Sequence, residues 1–528
     1  MLFTSLKFII FITILVIVYY AFTPAKERWG LLLMASLAFY FFADPRFLIF
    51  IFVTALVAYV HAIVTEDYQT KRKAYLKQNK ELFDGDGKKK YKKTTANVTR
   101  LLLVLSLLIN LGILAATKYT NFVIDTVNSI RGGEPLSFVN VIIPMGISFY
   151  TFQTVSYSID ISRGTVKAER NLLKLLLFVS FFPQLVQGPI SRFGDLSQTL
   201  YTPKQFEFKN VSYGFIRILW GYFKKLVIAD RLLPAIKILT GSPDEYNGAF
   251  VFIVMLFYAA QLYCDFTGGI DITIGIAQVL GVTVKENFDL PYFSKNIKEY
   301  WNRWHITMGT WFTDYIFYPL SVSPKMLKLS KWSREHLGNA VGKRVTVYIS
   351  CFAVWLATGI WHGAAWHFVV WGLMNFVVIM ASQELEPLYA KFHAKFNLKP
   401  RKGYAVFEII RTFLLMSSLK LFDCYANVGL TFKMFGSMFT TFNAGKLFGG
   451  ALADIGLSSG DYILLAGSIT VVFLVSLYKK FKGTDIRGFL YDRFPLFALS
   501  AVILLIATLV FGAYGAGYDA SQFIYNQF

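Results

Sequence analysis

Val345-Thr346-Val347-Tyr348-Ile349-Ser350-Cys351-Phe352-Ala353-Val354-Trp355-Leu356-Ala357-Thr358-Gly359-Ile360 contains no charged side chain and runs on into Trp361-His362-Gly363-Ala364-Ala365-Trp366. A stretch of this length and apolarity approaches the roughly 20 residues a membrane-spanning helix needs. An imidazole costs free energy in hydrocarbon, so His362 is by default a functional-site hypothesis. It is also the side chain best suited to move protons near neutral pH.

Working outward, comparable apolar blocks occupy residues 4–22, 47–64, 101–116, 251–263, 368–381, 462–477 and 495–511. Some are long enough to span and others are short or interrupted, so about eleven to thirteen buried segments are expected, some of them re-entrant or interfacial. The chain of 528 residues is 55% hydrophobic and only 16% charged, against roughly 25% charged in soluble domains. The expected fold class is an all-α polytopic membrane protein. The first segment carries one early lysine, Lys7, and no small-residue cleavage site before Pro24, so it reads as a span and not as a cleaved signal peptide. Cys264, Cys351 and Cys424 form no C-x-x-C spacing, which indicates neither a disulfide framework nor a cysteine-rich metal site.

The formal net charge of +21 could point to nucleic acid, but its distribution points to a membrane. Basic residues gather at 71–100, 325–344, 391–411 and 479–493, between apolar blocks, as the positive-inside rule predicts. The first cluster alone holds eleven Lys and Arg. All four are expected in the cytoplasm, which places both termini outside. The stretch 84–93 reads as an exposed loop. No linker or repeat divides the chain, so residues 1–514 are expected as one integral domain and 515–528 as an extracytoplasmic tail.

Two stretches depart from simple spans. Residues 141–159 contain Pro144 and Gly146, and Phe181-Phe182-Pro183-Gln184-Leu185-Val186-Gln187-Gly188-Pro189 breaks a hydrophobic run. Irregular backbone at membrane depth survives when buried in protein or lining a watery cavity; the breaks favour a chamber or tunnel over a plain bundle, with tight helix packing around glycine as the alternative. In the second stretch, residues 296–318, Trp301, Trp304, His305, Met308, Trp311, Phe312 and Tyr315 recur at helical spacing. With Lys295, Lys298 and Arg303 nearby, this suits an interfacial helix on the cytoplasmic side, with His305 turned into the protein.

His362 alone has a bland reading as a core histidine bonded to a carbonyl. Its glycine neighbours permit close approach, and Trp361 and Trp366 are candidates to wall a chamber. His367 lies five residues on with no acidic or cysteine ligand nearby, so no metal is expected. Asp265 and Asp271 point to different helical faces and read as structural ion-pair partners, for example of an arginine. Gly268-Gly269 lacks a nucleotide-binding spacing.

In order along the chain, Pro144-Met145-Gly146-Ile147-Ser148-Phe149-Tyr150-Thr151-Phe152-Gln153, Gln187-Gly188-Pro189, Tyr263-Cys264-Asp265-Phe266, Tyr300-Trp301-Asn302-Arg303-Trp304-His305 and Trp361-His362-Gly363 resemble the membrane-bound O-acyltransferase (MBOAT) superfamily. The resemblance is to its bacterial AlgI/DltB-like branch of polysaccharide O-acetyltransferases and teichoic-acid D-alanyltransferases. It implies a helical shell around a transmembrane tunnel, an acyl thioester entering from the cytoplasm and an acceptor approaching from outside. His362 and His305 match the branch's two catalytic-histidine motifs. A base must take the proton of the attacking hydroxyl and a donor must stabilise the developing oxyanion; His362 is assigned the first role. His305, Asn302 or both fall to the second role or to positioning the thioester. Trp301, Trp304, Trp361, Asn302 and Gln187 are the expected substrate contacts.

The final Phe523-Ile524-Tyr525-Asn526-Gln527-Phe528 is similar to a tail motif that, in D-alanylation systems, belongs to a separate small peptide and carries the acyl group on tyrosine. The alternative is an aromatic anchor at the membrane interface. A phenol pKa near 10 lies close to a thiol's roughly 8.5, so a phenyl ester is still an activated donor. Fourteen residues extend to about 45 Å, enough to reach the middle of a roughly 30 Å core.

The function expected from all this is transfer of an acetyl group from acetyl-CoA across a bacterial cytoplasmic membrane through Tyr525. A second, extracytoplasmic serine-hydrolase-like (SGNH-type) transferase would then deliver it to a polysaccharide hydroxyl. No bound cofactor and no nucleic acid is expected. The alternatives are a D-alanyl transferase fed by a carrier-protein thioester and, from another class, a transporter or flippase of an envelope precursor.

Overall fold

The computed structural model describes residues 3–81, 84–132, 134–202, 204–399, 401–514 and Tyr518. Among these residues there are helices and one isolated antiparallel bridge, between Phe288 and Trp304. Seven helices are long and apolar enough to cross a membrane: Phe47–Gln78, Gly85–Lys118, Ala249–Val279, Pro324–His362, Trp366–Phe396, Ser459–Lys482 and Phe494–Phe511. Shorter apolar helical segments cover Leu6–Phe22 and Leu172–Gln187. The apolar blocks of the sequence fall on these elements, the first beginning two residues before its helix, and the chain is an all-α, multi-pass membrane protein. Outward faces stay apolar: in Phe494–Phe511 only Phe497 and Thr508 are buried, as expected where lipid and not water is the solvent.

The helices outrun their apolar blocks, and this corrects one reading. Residues 84–93 are not a loop. Asp84 caps the helix Gly85–Lys118 by accepting from the Gly87 amide at 2.6 Å, and the lysines that follow are good helix formers. The basic run is therefore the polar end of a long helix.

Contacts divide the chain into two units, residues 1–212 with 276–285, and residues 213–275 with 286–528. In the first, Ile147–Arg163 is buried along most of its length and packs against both Phe47–Gln78 and Gly85–Lys118. Gly146, with φ 72°, sits where a Cβ would strike the Leu185 carbonyl, and Gly188 sits where one would strike Gln184. The two breaks thus meet each other. Tyr40 Oη donates to the Met145 carbonyl at 2.8 Å, which satisfies a backbone group that the helix break exposes, and Gln153 Nε2 donates to Gln184 Oε1 at 3.2 Å. Of the two readings, close packing is the one that Gly146 and Gly188 follow.

In the second unit, the π-helical segment Phe223–Ala229 delivers two buried lysines. Lys225 lies between Asp230, at 2.6 Å, and Asp265. Lys224 reaches Asp271 at 2.7 Å, and Arg217 reaches the same carboxylate at 2.9 Å. Asp265 and Asp271 are structural ion-pair partners, with lysine as well as arginine opposite them. The helices Pro324–His362 and Trp366–Phe396 approach closely because both are glycine at the crossing. A Cβ on Gly372 would lie 2.5 Å from the Trp355 carbonyl oxygen, and one on Gly359 2.7 Å from that of Phe368, the small-residue packing of membrane helices.

Candidate active site

His362 is the last residue of Pro324–His362; Gly363 continues in extended backbone, and a new helix begins at Trp366. A Cβ at Gly363 would strike the Phe368 ring, so only glycine lets the chain turn here. The His362 ring is half-buried. Its Nδ1 lies 2.9 Å from the Thr358 carbonyl; a carbonyl only accepts, so Nδ1 carries the proton and Nε2 keeps the lone pair. The ring packs 4.4 Å from Trp371 and 5.2 Å from Trp361, centre to centre.

Beside it is a cavity of about 40 Å³, whose walls include His362, Trp301, Trp304, Trp371, Lys420 and Asp423. Trp301 ties these walls together through edge contacts with Trp355 and Trp371 at 4.7 and 5.9 Å. Its indole N–H has no partner among the described residues, a donor left for something in the cavity.

His305 departs from the expected geometry. The periodic stretch is not one helix but two, Ile297–Arg303 and Ile306–Phe312, broken where His305 takes φ 49° and ψ 53°. A left-handed non-glycine residue costs of order 1–3 kcal/mol and persists only when its surroundings hold it there. Asn287 provides that hold. Its Oδ1 accepts from the Thr307 amide at 3.0 Å and from Thr307 Oγ1 at 2.9 Å, and lies 3.2 Å from His305 Nδ1. An oxygen that already accepts from an amide fixes Nδ1 as the protonated nitrogen here too. The backbone agrees: Ile306 N–H donates to the Asn287 carbonyl at 3.0 Å and Asp289 N–H to that of Arg303 at 2.9 Å. His305 is buried, with Phe266 edge-on at 5.0 Å and Trp361 at 5.9 Å. Burial, and then the nearby His362, lower its pKa well below the ordinary imidazole value. It is therefore held neutral.

The structure thus brings Trp301, Trp304 and His362 to one cavity, with Trp361 between the two histidine rings. Asn302 is exposed on the short helix and is not among the residues lining the cavity. Gln187 belongs to the first unit, buried with neither amide atom partnered among the described residues. Trp366, read as a chamber wall, is exposed; five residues further along the same helix, Trp371 packs on His362 instead. Tyr525 and the tail around it lie outside the described residues.

Sequence reading missed Asn287, Lys420 and Asp423. A signal existed for the last two, since Lys420-Leu421-Phe422-Asp423 interrupts an otherwise uncharged run after Arg411. Asn287 left none, because it sits 18 residues away and meets His305 only through the bridge. Asn287→Leu removes one oxygen that holds His305 and Thr307 together. Because an ångström of misplacement can cost about 10²-fold, acyl transfer by this variant is expected to fall about that far in a single-turnover assay. An unchanged rate would detach His305's orientation from the chemistry.

The family model of the membrane-bound O-acyltransferases matches residues 165–425, which contain both histidines and the cavity. A probable alginate O-acetylase AlgI of Pseudomonas syringae pv. tomato is 32% identical over 397 residues, 74% of this chain and 68% of that protein. The chain belongs to the membrane-bound O-acyltransferase family. The AlgI of Azotobacter vinelandii is 36% identical over 273 residues, with 51% of each chain covered, so this chain spans about half the length of that relative. The peptidoglycan O-acetyltransferase of Helicobacter pylori is 27% identical over 388 residues, covering 69% of this chain and 66% of that one. Within the family, then, the chain is a membrane-bound O-acyltransferase of the AlgI/DltB-like branch.

Proposed function

We propose that the protein takes an acetyl group from acetyl-CoA in the cytoplasm and passes it, with His362 as base, to Tyr525 on the outer side of a bacterial cytoplasmic membrane. An SGNH-type transferase then carries it to a polysaccharide hydroxyl. The observation that carries the reading is the His362 imidazole on the wall of the 40 Å³ cavity, with Nδ1 bonded to Thr358 and Nε2 basic. In the reaction Nε2 takes the phenol proton, the phenolate oxygen bonds to the thioester carbon, and the carbon–sulfur bond breaks. The leaving thiolate then takes the proton from the imidazolium. Neutral His305, fixed by Asn287, helps to position the thioester.

The acetyl assignment draws on size. About 40 Å³ accommodates roughly three water-sized groups, room enough for an acetyl. The polysaccharide acceptor draws on relatives named for alginate and peptidoglycan O-acetylation. The direction draws on the basic clusters at 71–100, 325–344, 391–411 and 479–493, which mark the cytoplasmic side.

The test is to incubate the purified protein with labelled acetyl-CoA. Label should survive denaturation, map by mass spectrometry to the C-terminal peptide, and disappear in Tyr525→Phe. Labelling by a D-alanyl carrier thioester and not by acetyl-CoA would instead favour the D-alanyl transferase. Solute uptake without covalent label would favour the transporter. Equal labelling of Tyr525→Phe would remove Tyr525 from the pathway.

A further inference from the structure

The cavity at His362 has a cationic wall that the mechanism above leaves unused. Lys420 stands at the end of the helix Lys402–Leu419 and is 6% exposed. Its Nζ donates to Tyr292 Oη at 2.9 Å, and Tyr292 donates onward to the Ala259 carbonyl at 2.7 Å. The nitrogen lies 4.0 Å from the centre of the Trp304 ring, 5.0 Å from Tyr292 and 5.9 Å from Tyr300. Trp304 and Tyr300 line the same cavity.

The other buried lysines of this unit set the contrast. Lys225 is neutralised by Asp230 and Asp265, and Lys224 by Asp271. Lys420 has no carboxylate oxygen within 4.0 Å among the described residues: Asp423 shares the cavity, but its hydrogen bond goes to Tyr258. Aromatic faces hold an ammonium without cancelling its charge. A buried ammonium with one of three donors committed, and with Asp423 attracting it only from beyond ion-pair distance, costs free energy in the resting protein. That cost is recovered when negative charge appears beside it. In a space this small, an acyl carbonyl presented to His362 is also presented to Lys420.

We propose that Lys420 is a further catalytic residue, which stabilises the oxyanion formed when the thioester carbonyl is attacked at His362. This rests on the acyl-transfer reading above. As the acceptor oxygen bonds to the carbonyl carbon, the carbonyl π pair moves onto oxygen and Lys420 Nζ–H donates to it. The pair returns when the carbon–sulfur bond breaks. Burial lowers the Lys420 pKa to about 7, with Asp423 opposing the shift, and the protonated form is the one that donates. A preorganised donor of this kind is worth about 10²–10³ in kcat.

The experiment compares wild type, His362→Gln, Lys420→Met and Lys420→Arg in the labelled acetyl-CoA assay, with melting temperatures alongside. Methionine fills the aromatic cage without charge; arginine restores it. Lys420→Met is expected to lose about 10²–10³-fold in kcat, with KM within about threefold and a melting temperature near that of wild type. Lys420→Arg should recover at least a tenfold part of the loss. No transfer by wild type would defeat the acyl-transfer reading and this inference with it. Transfer by wild type but equal kcat for Lys420→Met, a loss confined to KM, or failure of Lys420→Met to fold would overturn this inference alone.

Discussion

His362→Gln is expected to lower acetyl transfer by about 10²–10⁴-fold, the range that a positioned general base contributes. Glutamine keeps a donor for the Thr358 carbonyl, 2.9 Å from the native ring, and enough bulk to pack on Trp371. It cannot take a proton. The loss should therefore fall on kcat, with donor KM and thermal stability near wild type. Single-turnover label transfer and a melting curve on the same preparation make the check. Full transfer by His362→Gln would end the case for His362 as base.

The second large effect concerns Lys225 and stability. Lys225 is fully buried between Asp230 and Asp265, whose side chains are 1% and 0% exposed. Tyr518 Oη donates to Asp230 at 2.8 Å. Removing the cation leaves two carboxylates facing each other in a site that cannot solvate them, and breaking such a pair costs about 3–5 kcal/mol. Lys225→Met should therefore melt well below wild type or fail to accumulate. The same substitution at Lys420 should cost less, because no contact ion pair is broken there and only the longer-range attraction of Asp423 is lost. A Lys225→Met protein as stable as wild type would show that the triad contributes little net free energy.

The outline of the fold was readable because membrane insertion is a property of consecutive residues. Each uncharged run became a helix, and the runs misjudged at their ends, such as 84–93, were misjudged because apolarity marks where lipid stops and not where the helix does. Asp84 capping Gly87 is a local signal that gives the true start. His362 stood out for the same local reason, as a polar group where hydrocarbon was expected, and Trp301 by its helical spacing with Trp304 and His305.

The periodicity around His305 misled in an instructive way. A spacing of three and four residues is satisfied equally by one helix and by two short ones joined at a left-handed residue. The choice was made by Asn287, whose Oδ1 collects the Thr307 donors and His305. Trp371 in place of Trp366 was settled similarly. Gly359 and Gly372 bring two helices together at a crossing, and the crossing decides which tryptophan meets the imidazole.

Composition and order along the chain were sufficient for the class of protein, its spanning helices and the histidine at their midst, since these follow from transfer free energies summed over neighbours in sequence. The cavity, the hold on His305 and the caged Lys420 arose only when distant segments packed. A hydrogen bond or a caged charge depends on distances of a few ångströms between atoms far apart in the chain, and no run of adjacent residues encodes those.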